Sequence, residues 1–306
     1  MADSEPANQK PAGRTALISV GRIWTIAAST FTQLVRMKTF YFLLAFAVLL
    51  VAAGNLNILF SAVEQLSMIK KVSFGTMDLF AWLFAIVATA LLIPRDLEDR
   101  TLYTILSKPV LRIEYLLGKL IGVLVVILLS LVTMFVIFSA LLHIRTIDFL
   151  HTEVAILEQA GRSQEMIQAE AEAIIAQGLR KEMWVALWAI FLKSAVVASV
   201  TIFLSTIASS SLFTIIISTI IFLVGHASQM MIDFWKDQFV DNIVVKMLAG
   251  LFRIIVPDYQ IFSFYEGIIL GEKVLPHLVW SMTGMSLFYV GVFLLLGLLV
   301  FFDKEF

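Results

Sequence analysis

The sequence predicts an all-α integral membrane protein, and three observations predict it. Of its 306 residues, 60% are hydrophobic and 15% charged, against roughly 45–50% apolar and about 25% charged in soluble proteins. Six apolar stretches approach or exceed the length a helix needs to cross a hydrocarbon core. That length is about 20 residues, because every backbone amide must be satisfied inside the segment. The charges matter through their placement, and they are densest in one connecting stretch, residues 95–119.

Residues 1–16 are small, polar and proline-bearing, the composition of a disordered tail. No small-x-small cleavage pattern follows the first apolar run, so a retained tail is expected instead of a signal peptide. Residues 17–38 set Ile18, Ile23, Trp24, Ile26, Phe31, Leu34 and Val35 at roughly helical spacing beside Arg22, Gln33, Arg36 and Lys38. This predicts an amphipathic helix lying on the membrane surface, the other reading being the cytoplasmic start of the first span. A transmembrane domain then fills 39–306, with spans at about 40–60, 77–94, 118–143, 183–208, 212–232 and 276–302. Two external helical insertions interrupt it. The first, 144–182, is rich in Ala, Glu, Gln and Ile and reads as a hairpin broken near Gly161. The second, 233–275, keeps helical apolar spacing to Ile255 and stops at Pro257.

Six spans place both termini on one side of the membrane. Lys10, Arg14, Arg22, Arg36 and Lys38, with Arg95, Arg100, Lys108, Arg112 and Lys119, make that side cytoplasmic under the positive-inside rule. Bases such as Lys70, Arg145 and Lys236 in the opposite connections dilute the bias.

Several function classes are disfavoured. A net charge of −1 offers no basic field to nucleic acid. The absence of cysteine excludes disulfides, thiolate metal sites and a cysteine nucleophile. His143, His151, His226 and His277 form no pair at metal-ligand spacing, and the twelve methionines make no M-x-x-M cluster for a soft metal. Asp233, Asp237 and Asp241 recur at i, i+4, i+8 beside Lys236 and read as a wet helix face. The chain has no G-x-x-x-x-G-K-[ST] phosphate loop, no H-E-x-x-H and no nucleophile elbow, so it is not expected to be an enzyme.

Residues 95–119 read RDLEDRTLYTILSKPVLRIEYLLGK. Asp96, Glu98 and Asp99 crowd a first helical turn, where acids favour the helix dipole, and Asp96 precedes Arg100 at i, i+4. Leu97, Thr101 and Ile105 make one apolar row, with Leu102 and Leu106 beside it. Lys108, before a proline, ends this helix near Ser107. Pro109 then opens a second helix that runs to Gly118. Two short helices around a corner would pass a push from a cytoplasmic partner to the spans on either side.

The order Glu98, Arg100, Thr101, Leu106-Ser107-x-Pro109, Arg112-x-Glu114 and Gly118-Lys119 resembles the ABC-2 class of ABC transporter permeases. The likeness is to the six-span members grouped with the nitrous-oxide maturation permeases. Arg100 stands where that pattern often has glycine, and FRIIVPDYQIFSF around Pro257 is similar to the proline segment those permeases carry before the last span. The resemblance implies a multi-pass protein of the bacterial inner membrane that works as a dimer with a second copy or a sister permease. It implies that 95–117 is a coupling segment docking into a separate ATP-binding subunit. Asp96, Glu98, Arg100, Thr101, Ser107, Pro109, Arg112, Glu114, Gly118 and Lys119 would then couple the two. ATP and Mg would be held by the partner, with no cofactor on this chain, and the work done would be substrate translocation, expected as export. Two alternatives differ in kind: a mechanical subunit acting on an external partner, and a transporter or scaffold that needs no ATPase.

Two residues inside spans stand apart. A lysine near the middle of a span, Lys193, costs at least about 2.5–3.5 kcal/mol on insertion scales. It therefore faces a translocation path or partner, or its stem snorkels outward. His226, beside Ser228 and Gln229, either lines the same path or is a hydrogen-bonded structural histidine.

Overall fold

The computed structural model describes residues 19–53, 61–98, 110–208, 210–228, 257–263, 267–268 and 275–303. The predicted tail at 1–16 lies outside them, as do 54–60 of the first span, 229–232 of the fifth, and most of the second insertion. Among the described residues the chain is helical, with eight α-helices and no strand. They are α1 (Val20–Val35), α2 (Lys38–Ala53), α3 (Ala62–Glu98), α4 (Arg112–Gln159), α5 (Gln164–Ala176), α6 (Met183–Ile207), α7 (Ser211–His226) and α8 (Pro276–Asp303), with a 3-10 turn at Tyr259–Phe262 before the last.

Four helices, α3, α4, α6 and α8, are each long and apolar enough to cross a membrane. The pair α1 and α2, bent by 66° around Arg36 and Met37, would make a fifth. The apolar helix α7 is shorter, at 16 residues.

Two helices overrun their predicted spans. The expected span at 77–94 begins fifteen residues earlier, at Ala62. There Ser61 and Glu64 form a reciprocal cap: the Ser61 N–H donates to Glu64 Oε2 (3.3 Å) and the Glu64 N–H to Ser61 Oγ (3.4 Å). The same helix carries Pro94 inside it and continues to Glu98, so Arg95 does not begin a new element. A proline removes one backbone donor and is tolerated in membrane helices when neighbours cover the freed groups; Pro94 is buried. On the other side of the connection Val110 and Leu111 are not helical, and α4 starts at Arg112 and passes Gly118 without a break.

The expected span at 118–143 is the middle of this 48-residue helix, which at 1.5 Å per residue is about 72 Å long. Its far end therefore projects well beyond a hydrocarbon core of about 30 Å. It stops at Gly161, whose φ of +64° is the left-handed conformation that glycine adopts at little cost. α5 returns from that turn as the expected hairpin, and Gln177 beyond its end accepts a hydrogen bond from the buried Lys70 ammonium on α3.

The bundle is built around α6, apolar on nearly every side and buried nearly throughout, as a helix without a polar face must be. It packs on α3, α4, α7 and α8. Phe74 of α3 and Trp184 of α6 both meet Phe135 of α4. Asp96 of α3 reaches Tyr115 of α4, whose ring stacks on Phe301 of α8. Gly297 of α8 abuts Phe203 of α6 and Leu116 of α4. Helices α3, α6 and α8 thus run parallel, and α4 and α7 run against them. One end of the bundle gathers Asp96, the start of α4, α1 and the end of α8; the other carries the α4–α5 hairpin.

Candidate functional site

The predicted coupling residues divide into two groups. Arg100, Thr101, Ser107 and Pro109 lie outside the described residues, and of Glu98 only the backbone, closing α3, is described. Asp96, Arg112, Glu114, Gly118 and Lys119 are described, and they point inward, joining helices at the base of the connection.

Asp96 Oδ2 lies 2.7 Å from Lys119 Nζ and accepts a hydrogen bond from Tyr115 Oη, also at 2.7 Å. All three side chains are buried. Lys119 also donates to Gln33 Oε1 of α1 at 3.4 Å, and its ammonium sits 5.7 Å from the centre of the Tyr115 ring. Arg112 donates to the Phe301 carbonyl oxygen, with its guanidinium 5.7 Å from the Phe301 ring centre. The two ends of the polar connection are therefore clasped by a buried ion pair, and the clasp touches α1 and α8.

Glu114 fastens α1. Its carboxylate takes the Arg22 guanidinium in a two-pronged pair (Nε to Oε2 2.9 Å, Nη2 to Oε1 2.7 Å), the geometry in which arginine binds a carboxylate most strongly. It also accepts the Ser19 N–H at 2.6 Å and the Leu111 N–H at 3.0 Å. Glu114 is fully buried and Arg22 partly exposed. One side chain thus caps the first turn of α4 and holds the first turn of α1.

Below it, Gly118 and Gly122 are a turn apart and let α1 approach. A Cβ on Gly118 would stand 2.7 Å from Ile26, and one on Gly122 would stand 2.6 Å from Thr30. This is the close backbone packing that small residues four apart permit between membrane helices. The inward face of α1 is Ile26, Ala27, Thr30 and Leu34, and Val20 and Trp24 are exposed on its outer side.

A second constellation occupies the middle of the bundle. Lys193 is 1% exposed, and its Nζ lies 2.9 Å from Asp78 Oδ2 on α3. Along α6 the lysine is about 15 Å from Met183 and about 21 Å from Ile207 at 1.5 Å per residue. The ammonium also lies 5.4 Å from the centre of the Phe222 ring of α7, a cation–π contact. Phe222 in turn stacks on Trp82 at 4.4 Å and meets Tyr259 at 5.1 Å. Lys193 does not snorkel: it has a counter-ion inside the bundle.

Sequence reasoning missed Asp78. It stands second in the expected span at 77–94 and was not singled out; the Ser61-x-x-Glu64 cap, which marks a helix start far upstream, is the signal that places it mid-helix. His226, expected either on a path or as a hydrogen-bonded structural residue, is exposed in the last turn of α7, where its carbonyl accepts from Gln260 Nε2 at 2.8 Å. There the segment after Pro257 closes on the helix. Asp258 Oδ1 accepts the Gln260 N–H at 3.0 Å, and Gly225 leaves room for the Pro257 carbonyl, 2.5 Å from where a Cβ would stand.

No group of three or more His, Asp or Glu that could hold a metal occurs among the described residues. A cavity of about 200 Å³ between α4 and α8, lined by Ile113, Leu116, Leu117, Gly291, Leu294 and Leu295, presents only apolar side chains. No family model and no curated protein matches the sequence.

Proposed function

We propose that the chain is the membrane subunit of an ATP-driven transporter of the ABC-2 permease type, with six spans and both termini in the cytoplasm. On this reading it works as a dimer. Residues 95–117 receive the stroke of a separate ATPase, and closure of the ATPases shifts a path between two permeases from one exposure to the other.

The observation that carries this reading is the buried Asp96–Lys119 pair. A solvated loop needs no ion pair sealed at its base, and breaking such a pair is costly. A lever does need its two arms joined, so that force on the connection reaches α3 and α4 together. Through Gln33 and Glu114 it reaches α1, and through Arg112 it reaches the end of α8.

Copurification tests the proposal. The chain expressed with its ATP-binding partner should yield a stable complex that charge reversal at Glu98 or Arg100 disrupts. An intact complex after residues 99–107 are replaced by a Gly-Ser linker would overturn it.

The length of α4 favours a second reading, mechanical work on an external partner. A helix of about 72 Å that turns back through α5 carries motion at the membrane far outside it. Deleting residues 150–176 would separate the two. Loss of function with substrate movement in vesicles intact favours the mechanical role, and retained function favours transport.

A further inference from the structure

Bases near the start of α1 and of α4 are committed inside the protein. Arg22 is held by Glu114, Lys119 by Asp96 and Arg112 by the Phe301 carbonyl. Arg36, which ends α1, and Lys38, which opens α2, are instead exposed and pair with no acid among the described residues. Lys38 stands at a depth where that is costly. Phe40, half a turn on, meets the Phe84 ring at 5.4 Å, and Phe84 is about 18 Å along α3 from Asp96, inside the expected span at 77–94. A base beside the apolar part of a span needs an anion, or a course for its stem towards the surface where one can be met.

One turn further along α2 a cavity of about 200 Å³ begins, walled by Phe42, Phe46 and Leu50 of α2 and by Leu79, Phe80 and Leu83 of α3. Its walls present only apolar surface. Ala47 and Phe80 are buried and close its inner side, whereas Phe42, Phe46 and Leu79 are exposed, so it opens sideways to the surroundings of the bundle. Helix α2 runs against α3, since a parallel course from the Phe40–Phe84 contact would carry Ala53 out of reach of Ala62. The cavity therefore lies deeper than the two bases, and from Phe42 to Leu50 it follows α2 for about 12 Å. Lys38, Phe42 and Phe46 succeed one another at steps of four in one row, and the lysine stem leans back towards the start of the helix, away from the cavity. At the other end Val72, and not Lys71, continues the row of Thr76, Leu79 and Leu83. The cavity between α4 and α8 differs in this respect, because Arg112, the base above it, is already taken by the Phe301 carbonyl.

We propose that the α2–α3 groove is a binding site for an anionic phospholipid, with its phosphate held by Arg36 and Lys38 and one acyl chain laid along the cavity. A phosphate supplies the missing counter-charge to both bases, and arginine and lysine both bind it well. The chain fills an apolar space that opens towards hydrocarbon and is too dry for water. A zwitterionic lipid brings its own cation to the phosphate and leaves the two bases less well satisfied, so the site selects for net negative charge. The inference rests on α2 and α3 standing in a bilayer and requires no ATPase, so it can fail while the transporter reading stands, or the reverse.

Native mass spectrometry tests this on the purified full chain, extracted into mild detergent from vesicles of equal parts phosphatidylglycerol and phosphatidylcholine. Phosphatidylglycerol should be retained over phosphatidylcholine by about fivefold for each base. Arg36→Gln and Lys38→Gln, both at exposed positions, should each lower that preference by about the same factor, and the double variant should abolish it. Lys71→Gln, the same charge change off the groove, should leave it intact. Ala47→Leu, which fills the cavity and keeps both bases, should reduce retention of either lipid. Equal retention of the two lipids by the parent, or an unchanged preference in the double variant, would overturn the site; full retention by Ala47→Leu would remove the chain from this groove. A phosphatidylglycerol with a photoreactive diazirine in its acyl chain separates a site from general contact with lipid, using the unsubstituted protein. Its adducts should concentrate in residues 38–53 and 72–83. Adducts spread by exposure, and so densest on α8, the least buried of the four long apolar helices, would mean a lipid coat only and would overturn the proposal.

Discussion

Asp96, near the end of α3, and Lys119, early in α4, meet at 2.7 Å with both side chains buried. The most polar connection in the chain is thereby closed at its base. Replacing Lys119 with Met takes the counter-charge from Asp96 and keeps the Tyr115 hydroxyl on it, and removal of one member of a buried pair costs about 3–5 kcal/mol. Thermal unfolding in detergent should show a large loss for Lys119→Met, most of which the double variant Asp96→Asn/Lys119→Met regains. A loss in the double variant equal to the sum of those in Asp96→Asn and Lys119→Met would mean that the pair is not coupled.

Docking of α1 on α4 gives a prediction that depends on shape alone. Gly122→Val introduces a Cβ 2.6 Å from Thr30 and 2.8 Å from the Ala27 carbonyl, and backbone cannot yield as a flexible side chain can. Overpacking costs about 1–3 kcal/mol, and here the cheapest relief is to release α1. Limited proteolysis should then cleave near Arg22 and Arg36 in the variant faster than in the parent. Glu114→Gln, which weakens the Arg22 pair but leaves the helix contact, should raise cleavage at Arg22 more than at Arg36.

At the hairpin end, Gly225→Val would drive a side chain into the Pro257 carbonyl and the Tyr259 ring. The turn at Tyr259–Phe262 should lift from α7, raising hydrogen exchange at the Gln260 amide, which Asp258 now holds. Exchange in α4 should not change, since the turn packs chiefly on α6 and α7. Protection at Gln260 equal to that of the parent would show that the turn is held from elsewhere.

Hydropathy made the helices legible and left the side chains' directions illegible. The stretches ending at Ile207 and Asp303 were read almost to the residue, because apolar composition and helix coincide there. They diverge in α3, where Lys70, Ser73, Thr76 and Asp78 lower the hydropathy of a helix whose polar groups are buried against neighbours. A window average cannot distinguish a polar residue facing water from one facing a partner. The same ambiguity governs the connection: Glu114 and Lys119 read equally well as contacts for another protein, and only the fold brings Arg22 and Asp96 to them. Periodicity put Ile26 and Leu34 of α1 on its apolar row but also counted Trp24, which is exposed, and passed over Ala27 and Thr30, which are buried; the Gly118 and Gly122 seat that receives the helix is visible only once the two helices are side by side.

The sharpest consequence concerns the ion pair at the centre. Lys193→Met removes the ammonium from Asp78 Oδ2 and from the face of Phe222, leaving a buried carboxylate with no protein donor on either oxygen among the described residues. Asp78→Asn removes the negative charge and leaves the ammonium to an amide oxygen and a ring. Each single change should be strongly destabilising, by about 3–5 kcal/mol, because it strands a buried charge without its counter-ion. The double variant Asp78→Asn/Lys193→Met strands none, and a neutral replacement of a buried pair is often no less stable than the original. A double-mutant cycle on unfolding in detergent should therefore give a coupling of a few kcal/mol. If the double variant is as stable as the parent, stability does not require the pair, and any activity it loses measures what the charged centre contributes to function. Additive losses would place Lys193 and Asp78 in separate environments and remove the central ion pair from the account.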